Sequence, residues 1–317
     1  MNIVVASDDN YAPHLETLIV SIGENNKTID SIIVYILDGG LSEHSKLSIL
    51  RLKDKYANLI FKFYLMTEEI IQRKLGGSVL KDRSLSAYAR IFIPEIINDN
   101  RAIYMDVDAI VMGDLTELYD IDIIDYAIAG VIDTNPIQRH RNVGLDDEQI
   151  YINTGMILWN LDKCREIDAV KQCVDFVRSR NGDVDAMDQG TINGVLGKQN
   201  LIKSIHPKYN TFTSLFQFDH NEILSFYGLN RYYLDSEIIE ARKNPVFVHF
   251  TPNMITRPWV KHCKHPLKNE YWKYRRMTSY SNEILEPDVR KMKLKLLSWG
   301  YFHLPFFFFK KLLGLLK

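Results

Sequence analysis

The chain has 317 residues, 46% of them hydrophobic and 25% charged, with 39 Lys and Arg set against 40 Asp and Glu. This balance excludes disorder, a coiled coil and a global basic field, so no nucleic-acid partner is expected. The three cysteines, Cys164, Cys173 and Cys263, form no Cys-x-x-Cys pair, which argues against a disulfide scaffold or a structural zinc site.

In chain order, residues 2–6 form a short apolar run predicted as a buried strand. Leu15, Leu18, Ile19 and Ile22 then carry the i, i+3, i+4, i+7 stripe of a helix. A second strand is predicted over 31–37, ended by Asp38-Gly39-Gly40, and Ser42 is placed to cap a helix running to about Tyr56. Residues 59–65 predict a third strand, 84–97 a helix interrupted by Pro94, 102–105 a fourth strand and 127–132 a fifth. Beyond these, 162–180 has a helical pattern, 185–189 opens another short helix, and 246–250 is a late strand containing His249. Such strand–helix alternation predicts an α/β fold with a mostly parallel central sheet covered on both faces. The opening residues have neither a basic stretch nor a long apolar run, so a cytoplasmic location is expected.

Open α/β sheets bind ligands at the carboxyl ends of their strands. Polar residues recur at those ends: Ser7-Asp8-Asp9-Asn10-Tyr11 after the first strand, Asp106-Val107-Asp108 after the fourth and Asp133 after the fifth. Carboxylates at i and i+2 of an extended chain project to one side and suit a hard cation such as Mg²⁺ or Mn²⁺. Asp-x-Asp is common by chance, however, and a solvated strand end is the plainer explanation of this pair alone. His249 by itself is more often a core residue; joined to the two aspartates it completes an O,O,N set that favours Mn²⁺ over Mg²⁺. The chain has no GxGxxG after the first strand, no Walker A motif, no HExxH and no GxSxG.

Taken together, an ordered series of blocks resembles glycosyltransferase family 8, the retaining enzymes that include bacterial lipopolysaccharide galactosyl- and glucosyltransferases and glycogenin. The blocks are Ala6-Ser7-Asp8-Asp9-Asn10-Tyr11, Tyr88-Ala89-Arg90, Tyr104-Met105-Asp106-Val107-Asp108, Tyr151-Ile152-Asn153-Thr154-Gly155, Asp188-Gln189 and His249 followed by Pro258-Trp259. The resemblance covers roughly residues 1–275 and implies a GT-A Rossmann-like nucleotide-sugar-binding domain there. It implies a UDP-glucose or UDP-galactose donor, a glycan acceptor that is lipid-linked or otherwise part of a surface glycan or glycoprotein glycan, and an α-glycosidic product. Ala6, Asp8, Asn10 and Tyr11 would hold uridine and ribose, and Asp106, Asp108 and His249 would bind Mn²⁺, with Mg²⁺ as the alternative. Arg90, Asp133, Asn153, Thr154, Asp188 and Gln189 would line the donor sugar, with Val107, Asn253 and Arg257 completing the donor site. Asp188, Gln189 and Asn153 are the catalytic candidates. Asp188 is the sequence candidate for a nucleophile and Gln189 is a poor one, so front-face attack is expected. The segment after His249 departs from the family pattern: it lacks the usual glycine and carries Arg257 where a lysine is usual.

The tail differs in kind. From Arg290 to Lys317 there are seven Lys or Arg residues and no Asp or Glu, and residues 296–309 are dense in Trp, Tyr and Phe around Pro305. That run is too short to span a bilayer but suits the headgroup boundary. Residues 276–317 are therefore expected to form a basic, aromatic helical tail that attaches peripherally to the anionic inner face of the cell membrane, with packing on the body as the alternative. Two rival functions follow from the same residues. Asp106-Val107-Asp108 resembles the nucleophile motif of haloacid-dehalogenase-type phosphatases, though that motif normally sits on a first strand. The altered segment near Pro252 suits a non-catalytic UDP- or sugar-binding protein.

Overall fold

The computed structural model describes residues 1–77, 85–282 and 285–316. Four strands, β1 (Asn2–Ser7), β2 (Ile32–Asp38), β3 (Leu59–Leu65) and β4 (Arg101–Met105), lie parallel in the order β3-β2-β1-β4. A short strand β5 (Ala109–Val111) follows. The main sheet then continues through β6 (Ile128–Gly130), β7 (Met156–Asn160) and β8 (Ile202–Ser204), in the order β4-β7-β6-β8. Within it β7 runs antiparallel to both β4 and β6, so the sheet is mostly rather than wholly parallel. A second sheet joins β5 to β9 (Thr211–Phe212) and β10 (Phe247–His249) in the order β5-β10-β9.

Period-two alternation feeds both faces of the main sheet. Ile3 and Val5 face the helix Ala12–Asn25, whose Leu15, Leu18, Ile19 and Ile22 are fully buried, while Val4 and Tyr104 face the opposite core with Phe92 and Val177. Ser42 caps the helix Glu43–Arg51 by accepting from Ser45 N, as the sequence predicts.

Several boundaries differ from expectation for local reasons. The segment expected as one helix over 84–97 is a 3₁₀ run, Ser86–Phe92, followed by a short helix Ile93–Ile96; Ser84 lies outside the described residues. Pro94 opens that second helix rather than interrupting one, since its missing N–H falls in a first turn where it is not needed. The helix expected over 162–180 is two, Leu161–Glu166 and Ala169–Ser179, separated where Asp168 takes a left-handed φ of 53°. The fifth strand is shorter than 127–132, with Ile132 making a single bridge to Ile152. The short helix begins at Met187 rather than at 185, and Ala186 and Met187 both have positive φ.

The tail forms two helices, Met292–His303 and Phe306–Leu316, broken at Pro305. One face packs on the body: Leu297 and Phe309 are buried, and Phe218, Phe226, Tyr301, Phe306 and Phe309 make one aromatic cluster. The other face leaves Trp299, Phe307 and Phe308 52%, 62% and 55% exposed. Among the described residues no helix is long and apolar enough to cross a membrane.

Candidate active site

A cleft of about 380 Å³ opens at the carboxyl ends of β1 and β4, lined by Ala6, Asp8, Tyr11, Arg90, Val107 and Arg257 among others. Asp8 caps the short 3₁₀ turn Asp9–Tyr11 by accepting from Tyr11 N at 3.1 Å, which sets Tyr11, 37% exposed, at the cleft rim. Asn10 bonds to Asp8 Oδ2 at 3.4 Å, one position outside the lining.

Asp106, Asp108 and His249 converge so that one ligand atom from each lies within 4.8 Å of the others. Sheet register explains how residues 141 apart in the chain meet. In the antiparallel β5–β10 pair His249 lies opposite Ala109, and Phe250 N bonds to Asp108 O at 2.9 Å. His249 Nε2 is 3.0 Å from Asp108 Oδ1 and 3.7 Å from Asp106 Oδ2. The imidazole occupies space that only a glycine at 155 leaves open, because a Cβ there would lie 2.1 Å from His249 Cε1. Two carboxylates and one imidazole nitrogen, held by backbone register and a glycine recess, fit a divalent cation. Burial works against charge on Asp108, yet the His249 imidazole and the Arg257 guanidinium hold its carboxyl well below the usual range; Arg257 Nη2 is 2.6 Å from Asp108 Oδ2. His249 is raised: burial opposes its protonation and Asp108 overcomes that.

Arg90 joins this cluster to a second one. Its Nη2 is 2.8 Å from Asp106 Oδ1, its Nε 3.1 Å from Asp188 Oδ2, and its Nη1 donates to Thr154 O at 2.7 Å. The guanidinium lies 4.5 Å from the Tyr104 ring centroid, and Tyr104 OH donates to the same Asp106 oxygen at 2.8 Å. Beyond Arg90, Gln189 Nε2 donates to Asp133 Oδ2 at 2.7 Å, while Gln189 Oε1 accepts from Thr154 N at 3.2 Å. Asn153 Oδ1 accepts from Gly155 N and from Asn210 Nδ2. Burial pushes Asp188 up to about 6 against the opposing pull of Arg90, and burial likewise raises Asp133 although Gln189 donates to it. The positive φ values at Ala186 and Met187 mark the turn that delivers Asp188 and Gln189.

The structure thus gathers Ala6, Asp8, Tyr11, Arg90, Asp106, Val107, Asp108, His249 and Arg257 at the cleft, and links Asp133, Asn153, Thr154, Asp188 and Gln189 beside it. It does not bring Asn253 there: that side chain donates to Ser214 Oγ and Tyr227 OH, away from the lining. Ser7, Ser86, Ala87 and Tyr104 also line the cleft, and the sequence had suggested no donor-site role for them. Tyr104 stands two residues before Asp106 on the same strand face, and that period-two spacing is the signal that finds it.

A family model, Glycosyl transferase family 8, matches residues 2–263. General stress protein A of Bacillus subtilis (strain 168) is 29% identical over 297 residues, spanning 92% of this chain and 98% of its own. A putative glycosyltransferase of Haemophilus influenzae is 32% identical over 215 residues, spanning 66% of this chain and 63% of its own. Among solved structures, the galactosyltransferase LgtC in complex with donor and acceptor sugar analogs matches with a TM-score of 0.71 at 22% identity, over 88% of this chain and 96% of LgtC. That likeness shows the fold, which is GT-A.

Proposed function

This chain belongs to glycosyl transferase family 8, and on that premise we propose that it moves glucose or galactose from a UDP-sugar to a glycan acceptor with retention, forming an α-bond. The observation that carries the proposal is the continuous run of contacts from Asp108 through Asp106 and Arg90 to Asp188. It supplies a metal-binding end, with Arg257 beside it, for a diphosphate and a hydrogen-bonding end for a sugar. Membership of the family displaces the phosphatase alternative.

Asp8 and Tyr11 at the rim would take the ribose and uracil, Tyr11 by stacking. Asp106, Asp108 and His249 would hold Mn²⁺, which supplies a Lewis acid to the diphosphate oxygens when bound. Arg257 places a fixed cation beside the same diphosphate, so charge growing on the leaving group meets a preorganised partner. Asp133, Asp188 and Gln189 orient the hexose through its hydroxyls. In the transfer the bond from the anomeric carbon to the UDP oxygen breaks. The acceptor hydroxyl oxygen bonds to that carbon from the same face, and its proton passes to the departing phosphate oxygen. Asp188 is tied to Arg90 at 3.1 Å, which supports a binding role over attack on the sugar; a glycosyl adduct trapped on Asp188 would refute front-face transfer.

Residues 1–275 would carry this chemistry. Residues 276–317 would form a peripheral foot on the cytoplasmic face of the membrane, supported by the cation-rich tail sequence and by the exposed Trp299, Phe307 and Phe308. Protein that stays in the supernatant after sedimentation with anionic vesicles would remove this foot from the account. The test of the enzyme is UDP release from UDP-glucose and UDP-galactose with Mn²⁺: turnover of one or both is expected. UDP binding without any turnover, even with glycan acceptors added, would favour the non-catalytic alternative.

A further inference from the structure

The family match ends at residue 263, yet chain beyond it reaches back to the loop that carries Arg257. Among the described residues no helix or strand lies between His249 and Lys268, so bonds from other parts of the chain add to the loop's own in fixing its shape. Segment 286–298 supplies them at both ends. Arg290 Nη1 donates to Asn253 O and to Met254 O, each at 3.0 Å, and Ser298 Oγ donates to Met254 O at 2.6 Å. At the far end Lys261 N donates to Glu286 O at 2.8 Å and Glu286 N donates to Trp259 O at 2.9 Å. Arg257 stands between these two attachments with its guanidinium on Asp108.

The orientation of Arg290 is itself built. Asp288 accepts from Arg290 Nε at 3.0 Å and from Nη2 at 2.9 Å, a two-point grip that turns Nη1 toward the two loop carbonyls. Arg290 is not a core strut, because its side chain is 17% exposed and that of Asp288 25%. Its fixed donors end on consecutive peptide groups three and four residues before Arg257. A loop that lost them would keep its fold anchors at His249 and Lys268 but would sample more positions for Arg257.

We infer that Arg290, assisted by Ser298, is a positioning residue for the donor site: it fixes the loop so that Arg257 meets the diphosphate. The inference rests on the donor-site reading above. It also makes the segment beyond the family match part of the active-site scaffold.

The test is calorimetric titration of UDP in Mn²⁺ into the full-length chain and its variants Arg290→Ala, Arg257→Ala and the double variant, with melting temperatures recorded in parallel. Arg290→Ala should weaken UDP about tenfold in the parent and less than about twofold in the Arg257→Ala background, because the two residues act as one unit. Arg290→Lys, which reaches the carbonyls without the two-point grip on Asp288, should fall between parent and Arg290→Ala. Equal losses in both backgrounds, or unchanged UDP affinity in Arg290→Ala when the parent binds UDP, would overturn the inference alone. A parent that binds no UDP would overturn the donor-site reading and this inference with it. Should Arg290→Ala fail to fold, Ser298→Ala carries the same cycle, with an expected loss of about threefold.

Discussion

At one end of the cleft Asp108 sits between the His249 imidazole and the Arg257 guanidinium; at the other, Asp188 and Asp133 lie in a hydrogen-bonded nest around Gln189 and Arg90. All three carboxyls are buried, yet they are driven in opposite directions. Burial opposes ionisation at Asp108 and is overcome by the His249 imidazole and the Arg257 guanidinium, whereas burial prevails at Asp188, reaching about 6, and also raises Asp133. The two ends therefore differ in the charged and hydrogen-bonding groups beside each carboxyl, not in burial. The difference matches what each end would face in the proposed transfer: a charged diphosphate with its metal at Asp108, and uncharged sugar hydroxyls at Asp188.

The sharpest way to break this contrast is at the charged end. Asp108→Asn keeps the shape but removes an anionic ligand, and sugar transfer should fall by about 10²–10³-fold while the protein stays folded by circular dichroism. Turnover within threefold of the parent would end the metal assignment. A smaller effect is expected from the recess that seats the imidazole. Gly155→Ala places a Cβ where His249 lies, so Mn²⁺ affinity, read from metal titrations of UDP binding, should drop about 10–100-fold. An unchanged affinity would show that His249 moves without consequence.

The smallest effect sharpens the other end and concerns stability. Because the folded pKa of Asp188 is raised, the unfolded chain loses this proton first as pH rises from the ordinary carboxylate value of 3.8. The stability Asp188 contributes at low pH is then lost through about pH 6, by up to roughly 3 kcal/mol. In metal-free protein the stability difference between parent and Asp188→Asn, from urea melts, should therefore shrink between pH 4 and pH 7. A difference independent of pH would show that Asp188 titrates normally.

Much of the first half was legible because its signals are local. Short apolar runs marked β1 to β4, Ser42 marked a cap, and Asp106-Val107-Asp108 fell at a strand end. The second half was less legible because its contacts are long-range. The antiparallel insertion of β7 and the pairing of β10 with β5 leave no trace in residue spacing, and only that pairing turns His249 from a buried histidine into a neighbour of Asp108. Asp168, Ala186 and Met187 defeat helix periodicity because tertiary context imposes left-handed backbone on residues that do not advertise it. Arg90 was legible only through the family resemblance; its role as the link between Asp106 and Asp188 required the fold. The reach of Arg290 back to Asn253 and Met254 had no sequence signal, since a basic residue in a basic tail looks like surface charge.

The central claim is that one metal-dependent site holds the UDP half of a sugar donor at Asp106, Asp108, His249 and Arg257. Calorimetric titration of UDP with Mn²⁺, then with EDTA in its place, tests it most directly. The account predicts saturable binding that weakens at least about tenfold when the metal is chelated. Equal affinity with and without metal would contradict the claim by removing the three-residue metal site, and folded protein that binds no UDP in either condition would contradict it outright.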